Sequence, residues 1–487
     1  MSEARAPLRR VVVVGAGQVG IITAIALKHA VRSCEVLIAG EVPGPGSFSD
    51  WSSTSMPFTN HFHERLGIAE SAIIQYAAGS HRLLTRYLGW DGPNDAGVFC
   101  YGDSLSPEAK AMFQCGASFG RNSYLAERLV GAGRFARTAP DRTTPLSQIT
   151  HALRWDPAAY RNLLAAKARQ LGIASVLGPV TSVDCSQTGS IEAIHVAGKD
   201  RIEADLYLDC SGPCAALLAC HPDFAVVDWA DALPTRKLYS AQVNSPAVDL
   251  EDRTSLFQSG WHSRVAGRQG VRISVGVGKS ANEEEVIAAL GGKPELQLDL
   301  APGRVKRPWL GNVIAVGDAS SRFEPLGPWN LELAHRQIDL LLKLLPGRRI
   351  EPLEREEYNR RSTLMMEAVR DILSIHFASS RARTVFDGMA LPVGAAKVIY
   401  HFTRRGRIPF QEEFPLSAQE QFSLLTALGH VPGTSPATRP IDETQKIKNK
   451  GQLDTLAAEA LAFAPPYEEW LAWVTRQIPI PGQEHRR

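Results

Sequence analysis

The chain has 487 residues, of which 44% are hydrophobic and 21% are charged, as in ordinary globular proteins. Its net charge of +2, from 53 basic and 51 acidic residues, excludes nucleic acid or an anionic membrane as a partner held by bulk charge. No apolar run approaches the roughly 20 residues that span a bilayer, and the first residues show no cleavable signal pattern. We therefore expect a cytoplasmic protein.

The seven cysteines do not make a disulfide framework in so long a chain. Cys210, Cys214 and Cys220 lie close together in the sequence, but no CxxC pair or nearby histidine pair gives them the spacing of zinc ligands. We expect buried, reduced thiols and no metal site.

The first predicted element is a strand over residues 11–14, whose unbroken valines are typical of a parallel strand covered on both faces. Gly15, Gly17 and Gly20 follow at the GxGxxG spacing, and residues 21–30 predict a helix. The first glycine permits a tight turn, and the second lets the backbone approach a pyrophosphate at the helix N-terminus. The third lets the helix pack closely on the strand. The order of strand, turn and helix predicts dinucleotide binding.

The second predicted strand contains residues 34–42, CEVLIAGEV. A dinucleotide-binding unit carries an acidic residue for the ribose about 20 residues after the glycine turn. Ala39 and Gly40 stand at the expected place and Glu41 slightly later, so Glu41 is the candidate, with a surface-loop glutamate as the alternative. The glycine turn by itself suits FAD and NAD alike.

Two later stretches decide between these cofactors. Residues 203–212, EADLYLDCSG, predict a strand that ends in a turn of small residues, and residues 311–320, GNVIAVGDAS, predict another. The Gly-Asp-Ala element of the latter resembles that of FAD monooxygenases, in which the carboxylate contacts the ribityl hydroxyls of the flavin. The resemblance assigns this role to Asp318, with Ala319 in the turn beside the flavin ring. Together with the glycine turn, these stretches favour FAD.

In this order, the stretches resemble the flavin-dependent halogenases of the tryptophan halogenase family, from residue 11 to about residue 435. The FEPL stretch at 323–326 is similar to the first part of the family's FLEPLES stretch, and residues 358–377 and 402–432 are similar to its C-terminal helices. The resemblance implies an α/β class and an FAD-binding Rossmann-like flavin monooxygenase/halogenase fold with a C-terminal helical region. It also implies FAD as the cofactor.

The domain organisation follows from the same resemblance. We expect an FAD-binding domain at 8–335, interleaved substrate-facing segments at about 41–150 and 220–300, a helical region at 336–435, and a linker with a C-terminal lid or tail at 436–487. The Pro-, Thr- and Lys-rich residues 432–452 predict a loop within this linker.

Three departures from the family pattern concern residues associated with halogenation. The family's GxxFKL stretch, whose lysine activates hypohalous acid, corresponds here to His81 and Arg82, without a lysine. The second glutamate of FLEPLES is replaced by Gly327, and only Trp261 remains of the family's WxWxIP signature. A guanidinium stays charged at any working pH and offers no free amine. These losses favour oxygen transfer over halogenation.

We therefore predict an FAD-dependent monooxygenase that hydroxylates an aromatic ring of the indole or tryptophan type through a C4a-hydroperoxyflavin. The halogenase-like flavoproteins of tryptophylquinone maturation suggest the same, with a tryptophan in a partner polypeptide as the substrate. A flavin-dependent tryptophan halogenase with an atypical active site is one alternative, and a non-catalytic flavin-binding protein is another. A separate flavin reductase is the expected electron source, and direct reduction by NAD(P)H is left open.

The candidate catalytic residues are Glu324, His81, Arg82 and His262. His81 or Arg82 could position the substrate or, for the histidine, act as acid or base. A surface or supporting position is the alternative for both. Glu324 could orient the substrate beside the flavin or be structural in a Glu-Pro turn. His262, next to Trp261, is a candidate for the substrate side, with a place in the core as the alternative.

Overall fold

The computed structural model describes residues 6–102, 124–138, 141–198, 201–279, 281–434 and 442–477. Its strands are β1 (Arg10–Val14), β2 (Glu35–Gly40), β3 (Ser80–Arg82), β4 (Leu84–Leu88), β5 (Ala96–Cys100), β6 (Ala152–Arg154), β7 (Ala174–Leu177), β8 (Val180–Cys185), β9 (Ile191–Val196), β10 (Leu206–Asp209), β11 (Val226–Asp228), β12 (Lys237–Val243), β13 (Glu251–Leu256), β14 (Gly260–Gly267), β15 (Gly270–Val277), β16 (Leu296–Asp299), β17 (Gly303–Val305), β18 (Trp309–Leu310), β19 (Val313–Ala315) and β20 (Ser321–Arg322).

The helices of the described ranges are α1 (Gln18–Ala30), α2 (Pro57–Arg65), α3 (Glu70–Tyr76), α4 (Leu125–Gly131), α5 (Pro157–Gln170), α6 (Glu283–Leu290), α7 (Trp329–Lys343), α8 (Pro352–Phe377), α9 (Ala382–Val385), α10 (Val393–Arg405), α11 (Ala418–Ala427), α12 (Glu443–Phe463) and α13 (Tyr467–Gln477). Two 3₁₀ turns, Leu218–Cys220 and Gly317–Ala319, follow strands of the first sheet. Among the described helices, none has both the length and the apolar character needed to cross a membrane.

The first sheet has six strands in the order β18-β19-β10-β1-β2-β7, and all neighbours except β18 and β19 are parallel. In its register Val14 lies opposite Asp209, and Asp209 lies opposite Ala315. The carboxyl ends of β1, β10 and β19 therefore meet at one edge, the usual ligand edge of such a sheet. The predicted α/β class and the four predicted strands agree with this sheet.

Helix α1 covers this sheet, and its residues 18–27 are all buried. It packs on α5 and α7 as well as on its own strand β1, which explains why its sequence is apolar on more than one face. The buried helix therefore fixes its N-terminus firmly at the ligand edge.

The second sheet has seven strands in the order β16-β12-β15-β14-β13-β4-β5, antiparallel except for the pair β13 and β4. Strands β4 and β5 come from the segment predicted at 41–150, and β12 to β16 come from the segment predicted at 220–300. The two segments thus form one sheet, and their contact with substrate stays a prediction.

The C-terminal part is helical, as the resemblance implies, but its linker is shorter than predicted. Helix α12 begins at Glu443, inside the loop expected at 432–452, while residues 435–441 of that loop lie outside the described residues. Ala457 and Ala460 of α12 are buried, and α12 packs on α4. The polar stretch after residue 442 is thus part of a helix that packs on α4 and not a loop.

Candidate active site

The glycine turn lies between β1 and α1 at the ligand edge of the first sheet. Gly15 has a φ of +120°, and a Cβ there would lie 2.1 Å from the carbonyl oxygen of Cys210. Only glycine fits such a backbone approach and conformation. The N-cap of α1 is Gly17, and no side chain caps this helix end from its own N-cap position. Backbone amides at the positive end of α1 therefore face the space where an anion would bind.

Asp318 is held in the 3₁₀ turn after β19, and Ala319 beside it is buried. Its carboxylate accepts hydrogen bonds from the backbone amides of Phe48 (3.2 Å) and Ser49 (2.7 Å) and from the Ser49 hydroxyl. Burial raises the pKa of Asp318, while these donors oppose the shift. The turn thus holds a buried carboxylate at the ligand edge of the first sheet, and its contact with the ribityl chain of FAD stays a prediction.

The loop between β2 and α2 closes over this edge. Asp50, which sequence reasoning missed, accepts a hydrogen bond from the Val19 amide of α1 at 2.9 Å and one from the Ser47 hydroxyl at 2.7 Å. A Cβ at Gly17 would lie 2.1 Å from the Asp50 Oδ1 atom. Burial raises the pKa of Asp50 to about 7. The Asp50 carboxylate therefore binds the helix N-terminus in the way that a phosphate would.

Glu41 follows β2, and its carbonyl oxygen accepts the Ala16 amide at 2.8 Å, while its side chain is exposed. This backbone bond ties Glu41 to the glycine turn and leaves the carboxylate unconstrained by burial. Its role at a ribose stays a prediction.

A cavity of ≈ 350 Å³ lies between the second sheet and the loop after β2. Thr85 of β4 and Ser263 of β14 line one wall, and residues 325 and 327 of the stretch after β20 line the other. Arg82 and Asp252 lie in the lining as well. Its volume is in the range typical of small-molecule pockets.

Arg82, rather than the adjacent His81, faces this cavity. Its side chain is buried, pairs with the Asp252 carboxylate, and lies with Cζ 4.9 Å from the centroid of the Tyr101 ring. Arg154 donates to the other Asp252 oxygen at 2.6 Å. Burial alone would raise the pKa of Asp252, but the charges of Arg154 and Arg82 outweigh it and lower the pKa. The Nε atom of Arg82 is buried and has no protein partner.

His81 points away from the cavity because neighbouring residues of a strand alternate between its faces. Its Nε2 atom lies 2.9 Å from Glu70 Oε1, and its Nδ1 atom lies 2.9 Å from the Tyr467 hydroxyl. His262 likewise lies on the opposite face of β14 from Ser263, which lines the cavity. The structure therefore brings neither histidine to the cavity, and their catalytic roles remain predictions without a contact that favours them.

Glu324 is fully buried one position before Pro325, which lines the cavity. Thr235 donates to its Oε1 atom at 3.2 Å, and the Trp261 indole donates to the Thr235 hydroxyl at 3.1 Å, while Oε2 has no protein partner. Burial raises the pKa of Glu324 to about 7. Glu324 itself is not among the residues that line the cavity, so its catalytic role stays a prediction.

Sequence reasoning missed Asp252 and Arg154, which complete the buried charge cluster around Arg82. Asp252 lies in β13, opposite Thr85 of the parallel neighbour β4. An acidic residue in a strand was the only local signal, and it does not identify the partner.

The glycine turn, the carboxylate after β19 and the adjoining cavity define a dinucleotide-binding flavoprotein of the Rossmann-like class. Three features fit FAD. The backbone at Gly15 carries no side chain, the N-cap residue Gly17 leaves the N-terminus of α1 without a side-chain cap of its own, and Asp318 is a buried carboxylate. FAD would be held by these groups, and its pyrophosphate would replace Asp50 as the acceptor of the Val19 amide.

Residues 10–439 match the sequence model of the tryptophan halogenase family, so the chain belongs to that family. Tryptophan 7-halogenase KtzQ of Kutzneria sp. (strain 744) is 23% identical over 411 residues, covering 77% of this chain and 76% of that protein. Tryptophan 7-halogenase RebH of Lentzea aerocolonigenes is 23% identical over 417 residues, with coverages of 77% and 78%. The structure of BrvH, a flavin-dependent halogenase from Brevundimonas sp. BAL3, superposes with a TM-score of 0.84 at 23% identity, covering 96% and 99% of the two chains.

Family membership confirms the predicted family, and the superposition confirms the predicted fold with its C-terminal helices. FAD, the cofactor of this family, is confirmed as the predicted cofactor.

Proposed function

We propose that this protein catalyses the FAD-dependent halogenation of an electron-rich aromatic substrate of the tryptophan type in the cavity beside Arg82. The names of its relatives support this alternative better than the predicted hydroxylation. The observation that carries the proposal is the Arg82 side chain, which lines the cavity at the family's lysine position with a guanidinium paired to Asp252.

Reduced FAD supplies the activation of molecular oxygen, which in this family oxidises a halide. The contribution of this chain is then to hold the oxidised halogen species against the ring. Arg82 places its positive charge beside the oxidised halogen species, while Asp252 fixes the orientation of the guanidinium. Glu324, one residue before the cavity-lining Pro325, accepts the ring proton through a bridging water. Asp252 compensates the charge of Arg82 in the buried site and shares its second oxygen with Arg154.

Hydroxylation of the same ring is the second candidate, and one observation favours it. Arg82 has no neutral amine to carry a halogen, since the Asp252 charge and the Tyr101 ring raise its pKa further against the effect of burial. In a halogenase, the Arg82 guanidinium would have to activate hypohalous acid by hydrogen bonding alone, in place of the family's lysine. Direct oxygen transfer from the flavin requires no activating amine.

The substrate is proposed to be a small molecule, because a cavity of ≈ 350 Å³ encloses one aromatic amino acid better than a folded segment of polypeptide. A separate flavin reductase is proposed as the electron source. A tryptophan within a partner polypeptide is the alternative substrate, which would need the loop after β2 to open.

The deciding experiment supplies reduced FAD, oxygen gas labelled with ¹⁸O, and tryptophan or other indoles, with chloride, bromide or no halide. Mass spectrometry of the product should show a halogen isotope pattern that appears only with halide, and no ¹⁸O in the ring. A product that gains ¹⁸O with or without halide would overturn halogenation in favour of hydroxylation. Bound reduced FAD that neither consumes oxygen nor gives an aromatic product would overturn both and favour a non-catalytic flavin protein.

A further inference from the structure

Three side chains with metal-binding atoms converge on the side of β3 that faces away from the cavity. The Nε2 atoms of His81 and His151 lie 2.9 Å and 3.0 Å from the two carboxylate oxygens of Glu70. One atom from each of the three residues falls within 4.8 Å of the other two. Two imidazole nitrogens and a carboxylate are the donor set of many zinc sites.

The cluster joins parts of the chain that are far apart in sequence. Glu70 is the first residue of α3, His81 lies in β3, and His151 directly precedes β6. The Tyr467 hydroxyl, at the start of α13, accepts a hydrogen bond from the His81 amide at 2.6 Å and contacts His81 Nδ1 at 2.9 Å. Metal-binding histidines usually have such a partner on the second nitrogen, because it fixes the ring orientation. Tyr467 thus occupies the position of an outer partner.

Burial and ligand type suit a cation at this place. The side chains of His81 and His151 are buried, and Glu70 brings a carboxylate to both of them. An imidazole and a carboxylate are common ligands of transition-metal ions.

We propose that Glu70, His81 and His151 form a binding site for one divalent transition-metal ion of the zinc class, which fastens the C-terminal helix α13 to the core. Ligands about 2.1 Å from a tetrahedral zinc ion lie roughly 3.4 Å apart, so the two histidine–carboxylate distances of 2.9 Å and 3.0 Å would lengthen by a few tenths of an ångström. Imidazole ligands select zinc, nickel, cobalt or copper over magnesium and calcium.

The ion would be structural and separate from the catalytic cavity. The His81 ring is fully buried, and the Phe135, Tyr467 and Trp470 rings lie with centroids 5.3–5.8 Å from its own. The side chain of Glu70 is 22% exposed, which leaves room for a water as the fourth ligand. Arg137 Nε lies 3.3 Å from Glu70 Oε1 on this open side, and its side chain is 36% exposed, so it can move to solvent when the ion binds.

The test uses the tag-free full chain, stripped with a chelator, reloaded with zinc sulfate and desalted before elemental analysis. We expect one zinc per chain, a zinc-dependent rise in melting temperature, and a visible absorption band typical of tetrahedral coordination when cobalt replaces zinc. The Glu70→Gln and His151→Ala variants should lose the retained zinc and the rise in melting temperature. Circular dichroism and FAD binding would verify that both variants fold.

The matched control is His195→Ala, which removes a histidine paired with Asp184 at 2.9 Å on the surface, outside the cluster. This variant should retain zinc like the unaltered chain. If the unaltered chain retains no more zinc than Glu70→Gln, the proposal is wrong, and Glu70 is the centre of a hydrogen-bonded network only. If His195→Ala lowers the zinc retention as much as His151→Ala does, the proposal is also wrong, since the zinc binding would then be unspecific.

Discussion

At the scale of single residues, the direction of a side chain decides which predicted group reaches the cavity. His81 and Arg82 are adjacent in the sequence, and their residue types suggest similar roles. Strand β3 sends them to opposite sides, Arg82 to Asp252 and the cavity, and His81 to Glu70 and Tyr467. The sequence indicated this pair of positions. Which of the two side chains faces the cavity depends on the pairing of β3 with β6, whose Arg154 is 73 residues from His81 along the chain.

Replacing Arg82 by methionine should strongly decrease product formation, because the guanidinium side chain lines the cavity. Loss of one preorganised donor typically lowers kcat about 10²- to 10³-fold. We expect a decrease of that order in single-turnover product yield measured by chromatography, with FAD affinity unchanged. The control is Arg86→Met on β4, where the arginine pairs with Glu251 at 2.8 Å and does not line the cavity. Equal activity losses in the two variants would contradict the role of Arg82.

Glu324→Gln should change how stability depends on pH. Burial raises the pKa of Glu324 from its ordinary value of 4.5 to about 7, so the folded protein holds the proton more tightly than the unfolded chain. The unaltered chain therefore loses stability as the pH rises from about 4.5 through about 7, by at most about 3 kcal/mol from this group. The variant carries no such charge and should lack this part of the loss.

The measurement is urea unfolding of both proteins between pH 4.5 and 8, compared as the difference in the free energy of unfolding. The difference should grow in favour of the variant across that window. Glu356→Gln, at an exposed position of α8, is the control and should give a difference that is flat with pH. A flat difference for Glu324→Gln would mean that the carboxyl is not buried in solution.

At the scale of elements, the sequence predicted those strands, turns and helices whose conformation depends on neighbouring residues in the chain. The valine strand, the glycine turn and α1 are contiguous, and the strands before Cys210 and Asp318 end in small residues, so each was recognisable from its own stretch. The loop after β2 was not, because its fold depends on Asp318, 269 positions from Ser49 along the chain. Likewise, the helical state of residues 443–452 comes from packing on α4, which a Pro- and Lys-rich composition does not indicate.

The loop leads to a prediction about cofactor affinity. Asp50→Ala removes the carboxylate that bonds the Val19 amide at the N-terminus of α1. Since a pyrophosphate competes for the same donor, we expect FAD to bind about tenfold more tightly, in line with the roughly 1.5–3 kcal/mol of a hydrogen bond to a charged group. Titration with quenching of flavin fluorescence measures this directly.

The control is Gly17→Val. The Cβ atom that it adds would lie 2.1 Å from the Asp50 Oδ1 atom, so the side chain fills the space in front of the helix end. That variant should remain without FAD, since its side chain also keeps a pyrophosphate away from the helix end. Weaker FAD binding by Asp50→Ala would show instead that Asp50 helps to hold the cofactor.

At the scale of the whole molecule, the two sheets and the C-terminal helices form one body around the cavity and the Glu70 cluster. Predicted boundaries at residues 335 and 435 separate segments that the structure interleaves: α7 packs on α1 and α8, and α13 contacts β3 through Tyr467. The predicted lid role of the tail stays a prediction. Contacts such as Tyr467 to His81, 386 positions apart, arise only in the assembled fold and leave no pattern in the sequence.

Tyr467→Phe tests whether the C-terminal helix belongs to the stable core. The buried hydroxyl accepts the His81 amide at 2.6 Å, and its loss leaves that donor unpaired. An unpaired buried donor costs about 1–3 kcal/mol, so we expect a decrease of that size in the free energy of unfolding and faster proteolytic removal of α13. Tyr400→Phe, at a side chain that is 61% exposed, should change neither. Unaltered stability and protease resistance in Tyr467→Phe would mean that α13 adds no stability through this contact, and that the tail is held by its apolar face alone.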